Sequence, residues 1–203
     1  MHEKTIELEL RAEVLLQDYN PVKKSIERLG LLHSHTKRLS VMFFGEVDSK
    51  KIDIRVRITD GECEVVIKKG EFGSHDRIET SQNISSTEFL GMVKVFSQFG
   101  FIMKVGERDT FNYTLPDGVI ISLVSAGPVS YVELEKMSSE DDLEENNKQI
   151  KQYADQIGLK LLKSEEDFKL LCDCLNEKSD WFFNGTNEEY SKLGEMLNDY
   201  IED

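Results

Sequence analysis

The 203-residue sequence predicts an α+β fold: a closed antiparallel β-barrel with flanking helices and a C-terminal helical tail. Apolar and charged residues alternate with the period of a strand in segment after segment. Turn residues separate those segments at hairpin spacing. The charged side of several strands carries acidic or basic stripes of both signs, which become chemically useful together only if the sheet curls and turns that side inward. The helices then cover the apolar outside.

Taken in order, Thr5–Val14 alternates almost perfectly, with Ile6, Leu8 and Leu10 on one side and Glu7, Glu9 and Arg11 on the other. Asn20-Pro21 opens a short amphipathic helix marked by Val22, Ile26 and Leu29, and Gly30 closes it. Strands are expected at 39–47, 51–59, 63–69 and 77–84, with turns at Asp48-Ser49, Asp60-Gly61, and Gly70 with Gly73. Ser86-Thr87-Glu88 starts a second helix, whose stripe Phe89, Met92, Val93 and Phe96 ends near Gly100. Further strands are expected at 101–105, 108–115, 119–125 and 129–137, and then helices at 139–157, 164–176 and 186–202. The organisation expected is one barrel domain over 1–163 and an acidic helical extension over 164–203, packed on the same domain.

The chain carries 39 acidic and 25 basic residues, a formal net charge of −14. The imbalance is local: residues 139–203 hold 18 acids and 7 bases. Such a surface repels nucleic acid and anionic membrane, so neither is expected as a partner, and an anionic ligand must be met in a local basic pocket. No run approaches the roughly 20 apolar residues of a membrane span, and the acidic start does not read as a secretory signal, so a cytoplasmic location is expected. Cys63, Cys172 and Cys174 lack metal-ligand spacing and read as free thiols.

The charged stripes carry the chemistry. Asp53, Arg55 and Arg57 share one side of a strand; Glu133 and Glu135 share another, as do Glu64 and Lys68, Arg77 and Glu79, and Lys104 and Arg108. A solvated sheet face explains any one of these, but as a set they combine clustered carboxylates with clustered guanidinium groups. Carboxylates supply the oxygen ligands that hard divalent cations take, and Arg and Lys clamp phosphate oxygens, Arg often by paired hydrogen bonds. The implied ligand is a metal-bound polyphosphate.

The sequence resembles the CYTH group of triphosphate tunnel metalloenzymes, which includes class IV adenylate cyclases, thiamine triphosphatases and inorganic triphosphatases. The resemblance rests on Glu7-x-Glu9-x-Arg11, Arg55-x-Arg57, Lys68-Lys69-Gly70, Arg77-x-Glu79, Gly100-Phe101, Arg108 and Glu133-Leu-Glu135, in that order over roughly residues 5–160. It implies that the barrel is a triphosphate tunnel. It places metal ligands and the catalytic centre at Glu7, Glu9, Glu133 and Glu135, with magnesium or manganese (Mg2+ or Mn2+) as cofactor. Phosphate-binding bases fall on Arg11, Arg55, Arg57, Lys68 and Arg108, with Arg77 lining the lumen.

The chain departs from the family pattern in three places. Leu39–Phe44 is largely apolar where the family often has Gln-x-Asp-x-Tyr-Phe. Gly106 stands where a Lys is expected, with Lys104 as its substitute on the same side. Val124 stands where an Asp usually helps hold metal. The expected function is therefore hydrolysis of a small-molecule triphosphate. Adenylate cyclization and non-catalytic binding of polyphosphate or nucleotide are the alternatives.

Other features read more simply. His33 and His35 lack a third ligand and read as surface histidines. Cys172 and Cys174 point to different sides of a helix. Asn184-Gly-Thr186 reads as a turn, and Trp181-Phe-Phe183 is expected to pack on the barrel or on a second copy in a homodimer.

Overall fold

Strict alternation gives each strand two unlike faces, and the fold buries the apolar ones under helices. The computed structural model describes residues 6–70 and 78–201, and in them the chain forms β1 (Ile6–Val14), α1 (Tyr19–Glu27), β2 (Leu31–Val47), β3 (Lys50–Thr59), β4 (Glu62–Lys69) and β5 (Ile78–Ile84). Then come α2 (Phe89–Ser97), β6 (Ile102–Thr114), β7 (Ile120–Ala126), β8 (Val129–Ser138), α3 (Leu143–Ile157), α4 (Glu165–Lys178), β9 (Trp181–Phe182) and α5 (Asn187–Ile201). The architecture is α+β. Hydrogen bonds link the strands in the order β1-β8-β7-β6-β2-β3-β4-β5, with β9 on β6. No helix among the described residues is long and apolar enough to cross a membrane.

The chain divides into two compact units, residues 1–36 with 109–178, and residues 37–108 with 179–203. In the first, β1 pairs antiparallel with β8 and β8 with β7, in a register that sets Glu9 opposite Glu135 and Arg11 opposite Glu133. The other face of these strands supplies Val132, Leu134, Ile121 and Leu123, packed with Val22 and Ile26 of α1 and Ile150 and Ala154 of α3. α3 ends at Gly158, whose φ of +83° is the left-handed cap that glycine adopts without Cβ strain. Tyr153 of α3 donates to Asp117 Oδ2 at 2.7 Å and so ties the helix to the turn before β7.

In the second unit, β2 pairs with β3, β3 with β4 and β4 with β5 as successive hairpins. Leu39, Val41, Phe43, Ile54, Val56 and Ile58 form its core with Phe89 and Val93 of α2 and Leu193 and Leu197 of α5. A capping box starts the α2 segment: Ser85 Oγ accepts from Thr87 N, and the Glu88 carboxylate accepts from Ser85 N at 2.8 Å.

The strand order runs from β1 to β5, and those two strands are not paired with each other among the described residues. On the outer edge of β1, Ala12 bridges Leu161, and Leu162 N donates to Arg11 O at 2.8 Å. Three details differ from expectation. β2 begins at Leu31, eight residues before the expected strand. β6 is one strand through Gly106, where two strands, at 101–105 and 108–115, were expected. β9 was read only as an apolar cluster, yet Phe182 and Trp181 pair with Lys104 and Val105.

Candidate functional site

The polar face of the first unit carries the acidic groups. β1 and β8 are in register, so Glu9 and Glu135 face each other across the pair while Arg11 meets Glu133 one step along. Oxygens of Glu9, Glu133 and Glu135 all lie within 4.8 Å of one another. Like charges this close disfavour ionisation, and Glu9 responds. Burial pushes its carboxyl from the ordinary 4.5 up to about 7, Arg11 opposes the rise, and Glu133 and Glu135 add to it. Arg11 is the resident counter-ion, with Nε 2.9 Å from Glu133 Oε1 and a further ion pair to Glu9. Burial pushes the Arg11 guanidinium down, but the two carboxylates outweigh it and hold the pKa above the ordinary range. Phe168 of α4 lies over this guanidinium, its ring centroid 4.5 Å from Cζ.

Three crowded carboxylates, one of them resisting ionisation, are the donor set that a hard divalent cation relieves. Glu7 pairs with Met137 in the register, but its side chain lies outside the described residues. β7 adds no carboxylate: Ser122 stands beside Glu133 and Val124 beside Tyr131. The Ser122 hydroxyl instead donates to Asn112 Oδ1 at 2.8 Å, and Asn112 Nδ2 donates to Ser34 Oγ at 3.0 Å.

The polar face of the second unit carries the bases, and each described one already has a partner. Arg55 makes a two-pronged pair with Asp53, at 3.0 and 2.8 Å, and Arg57 Nε meets Glu64 Oε1 at 2.8 Å. Lys68 Nζ is 2.7 Å from Glu79 Oε2, and Lys104 Nζ lies 4.4 Å from the Phe182 ring centroid. On β6, Val105 joins the core and Glu107 accepts from Tyr200 of α5 at 2.7 Å, so Lys104, Gly106 and Arg108 lie on the opposite face. Arg108 pairs with Asp180 through two hydrogen bonds, at 2.7 and 3.1 Å. Arg77 lies outside the described residues.

The structure brings Glu9, Glu133, Glu135 and Arg11 together and sets Arg55, Arg57, Lys68, Lys104 and Arg108 on one face of the second unit, where the sequence reading expected a single lumen. That reading missed Asp180, hidden in an acidic tail, as well as Phe168 and the Asn112–Ser122 pair. The one available signal for Asp180 was Gly106, a glycine in a strand interior where something must approach closely. His35 Nε2 is 2.8 Å from Asp109 Oδ1, and its ring stacks on Phe111 at 4.0 Å.

Comparison with solved structures places this fold among known ones. The PH1012 protein of Pyrococcus horikoshii OT3 matches with a TM-score of 0.59 and 23% identity, over 80% of this chain and 93% of that one. A Vibrio parahaemolyticus protein provisionally assigned as an adenylate cyclase matches with a TM-score of 0.59 and 14% identity, over 82% and 97%. A Hippeastrum protein provisionally assigned as an adenylyl cyclase, with a dominant triphosphatase activity, matches with a TM-score of 0.54 and 15% identity, over 84% and 96%. No sequence-family model and no curated protein matches the chain.

Proposed function

We propose that this chain, which has the CYTH-type fold of those structures, is a metal-dependent phosphohydrolase that cleaves the terminal phosphoryl group of a small-molecule triphosphate. One observation carries the reading: the Glu9, Glu133 and Glu135 oxygens gather within 4.8 Å, a geometry that costs free energy without a cation. Glu9, Glu133 and Glu135, with Glu7 beside them on β1, are the proposed ligands of magnesium or manganese. Bound there, the ion neutralises phosphate charge and lowers the pKa of a coordinated water. Arg11 then has two tasks, balancing the carboxylates in the free protein and taking a phosphate oxygen once a cation has taken over that balance. Arg55, Arg57, Lys68 and Arg108 hold the remaining phosphate charge, with Lys104 beside Arg108 and Arg77 as a further base. Phosphoryl transfer needs mostly positioning and charge stabilisation, so no protein nucleophile is required.

The triphosphate tunnel is taken from the family resemblance, and Glu9→Gln and Arg57→Ala are each expected to weaken triphosphate binding. A second reading, polyphosphate binding without turnover, is favoured by β7, which brings Ser122 and Val124 to the acidic pair and no carboxylate.

The deciding experiment measures phosphate and pyrophosphate release from tripolyphosphate, ATP and thiamine triphosphate, with magnesium or manganese and with chelator. Metal-dependent phosphate release supports the hydrolase. Pyrophosphate with a cyclic product from ATP supports a cyclase instead. Binding of tripolyphosphate without release of either supports the second reading.

A further inference from the structure

Four base–acid pairs described in the second unit differ in where the acid comes from. Arg55, Arg57 and Lys68 pair with Asp53, Glu64 and Glu79, which lie on the same strand or the next one. Arg108 pairs with Asp180, 72 positions away, on the segment that leads into β9. The Asp180 side chain is 4% exposed, and its two oxygens occupy the guanidinium fork that a phosphate would use.

Two features keep the carboxylate there. Gly106, two residues before Arg108 on the same face, makes the room, since a Cβ at that position would collide with the Asp180 carboxylate. β9 fixes the approach: Trp181 pairs with Val105, Phe183 N donates to Met103 O at 3.0 Å, and Phe183 is 2% exposed. The residues that follow Asp180 thus fix the backbone from which its carboxylate reaches Arg108. Asp180 also stands beside the position where a further base was expected. One base is absent and its neighbour is neutralised.

We infer that Asp180 is a specificity-determining residue that sets how much negative charge the anion site accepts, and that it favours a metal-complexed triphosphate over the free anion. The inference rests on the triphosphate reading above. A polyphosphate that reaches Arg108 meets a neutral pair, so free tripolyphosphate lacks a counter-charge at that point. The metal complex, whose cation has already cancelled two of its charges, does not need one.

The test is tripolyphosphate binding by calorimetry, with magnesium and with chelator, in wild type and Asp180→Asn. With chelator, Asp180→Asn should bind free tripolyphosphate about tenfold tighter or more, the size expected for one charge-assisted contact, and with a steeper salt dependence. The gain with magnesium should be smaller. A purely structural Asp180 would move the melting temperature and leave these affinities and their salt slope unchanged. If wild type binds and the folded variant binds equally, this inference is overturned and the triphosphate reading stands. Absence of binding by both folded proteins under both conditions overturns the two together. Should Asp180→Asn not fold, Gly106→Ala decides in the same way, because it retains both charges and pushes the carboxylate off Arg108.

Discussion

Crowding of Glu9, Glu133 and Glu135 makes a prediction about stability that needs no substrate. In the folded protein the Glu9 carboxyl is raised to about 7, chiefly by burial, so between its ordinary 4.5 and 7 the folded state holds a proton that the unfolded chain has released. Stability contributed by that protonated form is fully present below about 4.5 and is lost as pH rises through 7. At 1.36 kcal/mol per pH unit the loss is at most roughly 3 kcal/mol. Glu9 keeps 30% side-chain exposure, and solvent screening brings the figure to about 1–2 kcal/mol. Glu9→Gln mimics the protonated form at every pH. In chelator, the melting temperature of wild type relative to Glu9→Gln should therefore fall by about 3–6 °C between pH 5 and pH 8. Magnesium should restore wild type at pH 8 and leave the variant unchanged, since a cation at 100 times its Kd adds about 2.7 kcal/mol. Parallel pH dependences of the two proteins in chelator would refute the argument from carboxylate crowding.

Other substitutions test separate parts of the molecule. Arg57→Ala should weaken tripolyphosphate binding about tenfold or more in calorimetry while changing the melting temperature far less, since its Glu64 partner keeps 25% side-chain exposure. Phe43→Ala empties a fully buried position in the second core, beside Phe96 at 5.7 Å between ring centroids, and should cost about 3–5 kcal/mol in denaturant unfolding. Tyr153→Phe removes the 2.7 Å hydrogen bond to Asp117 and should cost about 1–2 kcal/mol. In spectrophotometric titration, Tyr113 and Tyr153 should ionise only near pH 12. Burial and Glu27 hold up Tyr113, and the Asp117 hydrogen bond, then burial, holds up Tyr153; a titration in which every tyrosine ionises near pH 10 contradicts this.

Much of this arrangement was legible because alternation is a one-dimensional signal. A strand such as Ile52–Ile58 announces both its faces, so the stripe Asp53, Arg55, Arg57 and the core row Ile54, Val56, Ile58 can be read off directly, and the structure has both. Helices with clear stripes were equally plain, and α5 lies within a residue of its expected bounds. What escaped depends on distant pairing. Nothing near Asp180 says that it will lie on Arg108, and nothing around Trp181 says that two residues will add to β6. The expected strands stop at Val105 and resume at Arg108, whereas one strand runs through Gly106, where the Asp180 carboxylate approaches. The stripes set the bases on one face but could not show that each of the described ones already has a partner.

The pairing of β1 with β8 also has a cost in time. Arg11 and Glu133, partners across that pair, are 122 residues apart in the chain. At the usual 5–20 residues per second of synthesis, β1 emerges roughly 6–25 s before the strand that will hold it. β2, β3 and β4, by contrast, each pair with the next strand and can form hairpins as they appear. An unpaired strand waiting that long is an invitation to aggregate, and its alternating Glu7, Glu9 and Arg11 are the kind of charges that turn other strands away. The residues proposed to hold a cation in the finished protein would thus first act as gatekeepers for the nascent one.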